Sequence, residues 1–258
     1  MTTYLDRILE HHRSVAEKDD RPIEAMRADA DAMPPTRSFA RALRGQTKLA
    51  VIAEIKRRSP SKGDLFANLD PASVAQSYER GGASCLSVLT DEPHFGGSIS
   101  DLQAARDACG LPVLRKDFTV SERDVLDARI MGADCVLLIA ASLDRSELLK
   151  FHELATSIGL DVLVEIHDEA ELDLALAVKA SIIGVNQRDL VSFRVDHERA
   201  LRMAALIPSD VIRVAESGVR DRADAQSLRD AGYDAVLVGE SLVTAADPVA
   251  AIGELRVA

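Results

Sequence analysis

Tryptophan is absent, and three tyrosines and six phenylalanines are the whole aromatic complement of 258 residues. A chain so poor in rings offers little for stacking nucleobases. Positive charge is also short, with 31 Lys and Arg against 42 Asp and Glu and a net charge of -11. That argues against partners held by a positive field, nucleic acid and anionic membrane above all. The three cysteines, Cys85, Cys109 and Cys135, are far apart and mostly inside apolar runs. They make neither a CxxC metal pair nor an even disulfide framework, and read as free thiols of a reducing compartment. The six histidines, His11, His12, His94, His152, His167 and His197, form no HxH or HExxH pattern, so no metal is expected. No apolar run is long enough to span a bilayer, and the opening MTTYLDRILEHHRSVAEKDD has no apolar signal core. The expectation is a cytoplasmic protein without a membrane.

What is present is an apolar content of 47%, ample for a core, arranged in a regular rhythm. Residues 1–20 place Tyr4, Leu5, Ile8, Leu9 and His12 on one helical face, and a second short helix is expected over Ser38 to Leu43, after Pro34-Pro35. From residue 48 the pattern becomes strand, turn, helix, eight times over: LAVIAEIK, ASCLSVLT, PVLRKDF, DCVLLIAA, DVLVEIH, SIIGVNQ, DVIRVAESG and DAVLVGESL, each followed by a helical segment. Gly82, Gly132, Gly159 and Gly232 stand at helix ends, where a left-handed cap is wanted. Continuous apolar strands belong to a parallel sheet covered by helices, and eight units in about 250 residues predict a closed (β/α)8 barrel. The predicted division is an N-terminal helical extension over residues 1–47 and a barrel over 48–258. An open doubly wound sheet is the alternative, but no GxGxxG follows the first strand.

The stretch Leu49 to Gly63, LAVIAEIKRRSPSKG, carries Glu54 and Lys56 late in its apolar run. Side chains two apart on a strand share a face, and a charged pair there is costly to bury without a use. Barrels hold their active sites at the C-terminal strand ends. The polar residues at those ends are Glu54 and Lys56, Lys116 with Arg115 beside it, Glu165, Asn186 and Arg188, and Glu216 with Ser217. Gly218 and Gly239 end the last two strands, where backbone N–H groups approach a phosphate, and Ser59 lies next door around the ring. A phosphorylated small molecule is the expected ligand. His167, Cys85 and Cys135 read as structural, since no base partner is evident for either thiol.

EIKRRSPSKG, SVLTDEPHFGGS, LRKDF, VLVEIHD, GVNQRDL, VAESG and LVGESL, in this order and spacing, resemble the indole-3-glycerol phosphate synthase family across essentially the whole chain. The resemblance implies conversion of 1-(2-carboxyphenylamino)-1-deoxyribulose 5-phosphate to indole-3-glycerol phosphate with release of carbon dioxide and water, with no metal or organic cofactor. It implies Lys116 as the acid for ring closure and Glu165 as a proton donor in dehydration. Lys56 would bind the anthranilate carboxylate, and Glu54 would orient or exchange protons. Asn186, Arg188, Glu216 and Ser217 would hold sugar hydroxyls, carboxylate and neighbouring lysines. Ser59, Gly218, Gly239 and Glu240 would cradle phosphate, and Phe95 and Phe118 would wall the aromatic ring. The extension would cover the mouth, and Lys62 in a loop from Arg57 to Asp64 would meet the substrate as part of a lid. A lysine that donates near neutrality needs a lowered pKa, which a neighbouring lysine and partial desolvation supply. A monomer is expected. Two other readings stay open: a Schiff-base aldolase with Lys116 as nucleophile, and a barrel that binds a phosphorylated metabolite without turnover.

Overall fold

The computed structural model describes residues 3–59, 63–66, 69–189 and 191–258. Eight strands form its centre: β1 (Ala50–Ile55), β2 (Cys85–Leu89), β3 (Val113–Lys116), β4 (Cys135–Ile139), β5 (Asp161–Ile166), β6 (Ile182–Asn186), β7 (Ile212–Glu216) and β8 (Ala235–Val238). Each pairs in parallel with its neighbours, and β8 returns to β1 through Ala50 opposite Ala235 and Ala53 opposite Val238. The expected (β/α)8 barrel therefore forms, and the open sheet does not.

Helices follow the strands because the sequence starts and stops them cleanly. Asp70, Ser98, Ser121, Asp144, Asp168, Asp221 and Asp247 each accept a backbone N–H at a helix N-terminus. Each such cap contributes about 1 kcal/mol. At the other ends Gly82, Gly132, Gly159 and Gly232 all have positive φ, between 82° and 98°.

Alternation along the strands divides the core in two. Val51, Ala53, Val88, Val136 and Val164 face outward and join the helices in one apolar shell. Ala50, Ile52, Cys85, Leu114, Leu137, Leu163 and Val214 face inward and fill the barrel from its N-terminal end. Towards the C-terminal ends this inward face turns polar, with Glu54, Lys116, Glu165, Asn186 and Glu216.

The extension has three helices, α1 (Tyr4–Lys18), α2 (Ile23–Ala32) and α3 (Phe39–Leu43). No sequence period announces α2, whose buried positions are Met26 and Ala30. Nor do all the extension's helices cover the mouth. Phe39 and Leu43 of α3 are buried among the first inward layer, closing the barrel floor. The floor seat is polar at its rim. Arg37 N–H donates to Asp134 Oδ1 at 2.7 Å and Ala40 N–H to Asp161 Oδ2 at 2.9 Å, just before or at the starts of β4 and β5. Only α1 reaches the mouth, where the His12 ring lies 5.5 Å from Phe118 and the Tyr4 ring 5.2 Å from Phe193. Among the described residues no helix is long and apolar enough to cross a membrane.

Candidate active site

A cavity of about 580 Å³ opens at the C-terminal ends of the strands. It is floored by inward residues of the layer below, Leu137, Ile139 and Leu237. Fourteen of the residues singled out from the sequence line it: Glu54, Lys56, Ser59, Phe95, Lys116, Phe118, Glu165, Asn186, Arg188, Glu216, Ser217, Gly218, Gly239 and Glu240. Arg115 does not. One position along β3 from Lys116, it points out of the barrel, and its guanidinium donates to Thr90, Asp117 and the Asp124 carbonyl. Lys62 lies outside the described residues.

At the centre, Lys116 Nζ donates to Glu165 Oε2 at 3.1 Å, and Asn186 Nδ2 donates to Glu165 Oε1 at 3.0 Å. Glu54 and Lys56 form a salt bridge along the inner face of β1, the shared face that their spacing predicts. Glu216 is buried, with Oε1 lacking a hydrogen-bond partner among the described residues. Two glycines make space for these carboxylates. A Cβ on Gly184 would lie 2.0 Å from Glu216 Oε1, and one on Gly239 would lie 2.3 Å from Glu54 Oε1. Gly184 was not picked from the sequence, since a strand glycine declares its reason only when the neighbouring strand's side chain is in place.

Ionisable groups buried this close together cannot all keep their solution properties. Burial opposes a charge on Lys116, but Glu165, Glu216 and Glu54 outweigh it and hold its pKa above the ordinary lysine value. This corrects the expected lowering: the charges nearest Lys116 are negative, so it rests as a firmly held ammonium. Burial likewise opposes ionisation of Glu165, yet Lys116, His167 and the Asn186 hydrogen bond hold its pKa below the usual range. Glu216 goes the other way. Burial, reinforced by the charge on Glu165, pushes its carboxyl well above the usual range. The pocket thus favours the ionised form of Glu165 and disfavours that of Glu216.

Supports behind the pocket escaped the sequence reading. Ser217 adopts φ +64°, a left-handed conformation costing about 1–3 kcal/mol outside glycine. Gln187 Nε2 donates to the Ser217 carbonyl at 2.8 Å, holding that turn. His167 has the structural bond expected of it, Nδ1 to Glu171 at 3.0 Å, while its Nε2 lies 3.7 Å from Glu165 Oε1. Asp91, Phe193, Val195 and His197 also line the cavity from loops, where no strand period points to them.

The family model described as indole-3-glycerol phosphate synthase matches residues 5–255. The chain belongs to the indole-3-glycerol phosphate synthase family. The family member of Polaromonas naphthalenivorans (strain CJ2) is 48% identical over 238 residues, which cover 91% of this chain and 90% of that one. That of Chloroherpeton thalassium is 47% identical over 247 residues, 94% of this chain and 95% of the other. Among solved structures, thiamine phosphate pyrophosphorylase from Pyrococcus furiosus shares the fold with a TM-score of 0.61 at 17% identity, covering 80% of this chain and 93% of that one. At that identity the likeness concerns the barrel alone. As a family of enzymes of tryptophan biosynthesis, the indole-3-glycerol phosphate synthases are carbon–carbon lyases.

Proposed function

We propose that this chain closes the indole ring of 1-(2-carboxyphenylamino)-1-deoxyribulose 5-phosphate, with Lys116 and Glu165 moving the protons. The observation that carries the reading is the Lys116–Glu165 pair, an ammonium and a carboxylate in contact at the base of the cavity. Lys116 protonates the ketone oxygen as the ring carbon bearing the carboxylate attacks the ketone carbon. The carboxylate then leaves as carbon dioxide, and its bonding electrons restore the aromatic ring. Ionised Glu165 takes a proton from the methylene carbon beside nitrogen and delivers it to the new hydroxyl, which departs as water. Thus Glu165 becomes the donor expected of it only after acting as a base. Lys116 regains its proton from solvent, so one proton is consumed per turnover. Ammonium, carboxylate and amide fixed in place before the substrate arrives lower the barrier without reorganising during it.

Lys56 receives the aryl carboxylate, with Glu54 setting its position. Asn186, Arg188, Glu216 and Ser217 hold the sugar portion and each other. Ser59 and the backbone at Gly218, Gly239 and Glu240 take the phosphate. The aromatic ring lies against Phe95 and Phe118, whose centroids are 6.4 Å apart. On this reading the protein is a cytoplasmic monomer acting on a free metabolite, without nucleic acid or membrane.

The test is to mix the purified chain with the carboxyphenylamino substrate and a chelator and to follow indole fluorescence. Rising signal is the expected result. A flat trace with bound substrate would mean a binding barrel, and a borohydride-trapped adduct at Lys116 would mean Schiff-base chemistry.

A further inference from the structure

Outside the catalytic constellation the fold assembles a second group of donors that no sequence spacing announces. His12 comes from α1, while Asp91 and His94 come from the turn after β2. His12 Nε2 lies 3.4 Å from Asp91 Oδ2, and His94 Nδ1 lies 2.9 Å from the same oxygen. The three ligand atoms all fall within 4.8 Å of one another.

We propose that His12, Asp91 and His94 bind a first-row divalent cation, with zinc as the reference ion. Two imidazoles and a carboxylate are a common donor set for such ions, and neighbouring ligands of a tetrahedral zinc stand about 3.3 Å apart. The two His–Asp separations in place are close to that figure, and both are hydrogen bonds that the ion would replace. The Asp91 side chain is 0% exposed and those of His12 and His94 are 15% and 19% exposed, leaving a fourth position for water. Orientation is already fixed: Asp91 Oδ1 accepts the backbone N–H of His94 at 3.0 Å. Asp117 Oδ1, 3.8 Å from His12 Nε2, adds negative charge while itself accepting the Phe118 N–H at 2.8 Å. Because the ligands come from the extension and from the barrel, the ion joins the two at the rim of the cavity.

The test uses the full chain, stripped with a chelator and dialysed, then titrated with zinc by calorimetry and with cobalt(II) by visible absorption. One equivalent is expected, with a raised melting temperature and cobalt bands of a four-coordinate site. H12A and H94A should each weaken zinc binding at least tenfold, whereas H11A, which alters the adjacent exposed imidazole, should leave it unchanged. No stoichiometric zinc uptake, or no four-coordinate cobalt bands in the wild-type chain, overturns the proposal whether or not the variants fold. Zinc binding by folded H12A or H94A at wild-type affinity does so too. None of these readouts involves catalysis, so the result is independent of the proposed reaction.

Discussion

Arg115 and Lys116 are neighbours on one short strand, and they lie in two opposite kinds of polar network. Outside the barrel, Arg115 donates to Thr90, Asp117 and a main-chain carbonyl, and Asp117 in turn accepts from Thr90 and from the Phe118 N–H. Each of these groups is engaged. Inside, Lys116 meets Glu165, Glu54 and Glu216 contribute further negative charge, and Glu216 Oε1 has no hydrogen-bond partner among the described residues. A saturated network holds a structure together; an unsaturated one keeps capacity for a ligand. Exposure alone does not separate the two, since Arg115 and Glu165 are both buried.

Replacing each member of the pair tests that contrast most severely. Lys116→Met should lower kcat by about 10²–10⁴-fold, the range of a lost general acid, with the circular dichroism of the folded protein retained. Arg115→Met should instead cost about 3–5 kcal/mol in denaturant unfolding, because Asp117 is left buried without its cation. Turnover per folded molecule should then be unchanged. A stable Arg115→Met protein with lost turnover would erase the distinction. Glu165→Gln should reduce kcat by about 10²–10³-fold, since the amide can neither take nor return the proton, and single-turnover kinetics would place the defect after decarboxylation.

A smaller effect is expected from Gly184→Ala. Its new methyl group presses on the Glu216 carboxyl and should cost about 1–3 kcal/mol in stability, read as a shift of the urea midpoint. The smallest is a pH slope. Since the Glu216 pKa is raised on folding, the folded state binds its proton more tightly. The stability this contributes is whole below the ordinary glutamate value near 4.5 and is lost as pH rises towards the folded pKa. Glu165 has the opposite sign, its contribution being lost as pH falls through its lowered value. Glu216→Gln should therefore flatten the decline above pH 4.5, a slope of up to about 1.4 kcal/mol per pH unit, in unfolding curves measured at pH 5 and pH 7.5.

The barrel was legible because its strands, caps and glycine stops each leave a local mark. The pocket-lining polar residues were legible for the same reason: Glu54, Lys116, Glu165, Asn186 and Glu216 interrupt apolar runs near strand ends, where burial makes a charge conspicuous. What stayed hidden depends on who stands next to whom in space. The raised pKa of Lys116 needs three glutamates from three other strands, Gly184 matters because of Glu216 across a strand pair, and α3 sits at the floor because Asp134 and Asp161 are there. The helix α2 has only Ile23 and Met26 as large apolar residues, too few to mark a period, and His12 and His94 are far apart in sequence.

The floor seat has a consequence for synthesis on the ribosome. The main-chain N–H of Ala40 is held by Asp161, 121 residues later. At about 5–20 residues per second, roughly 6 to 24 s pass between the making of those two residues. Throughout that interval Phe39 and Leu43 have no floor to enter, so the segment translated first is among the last to dock.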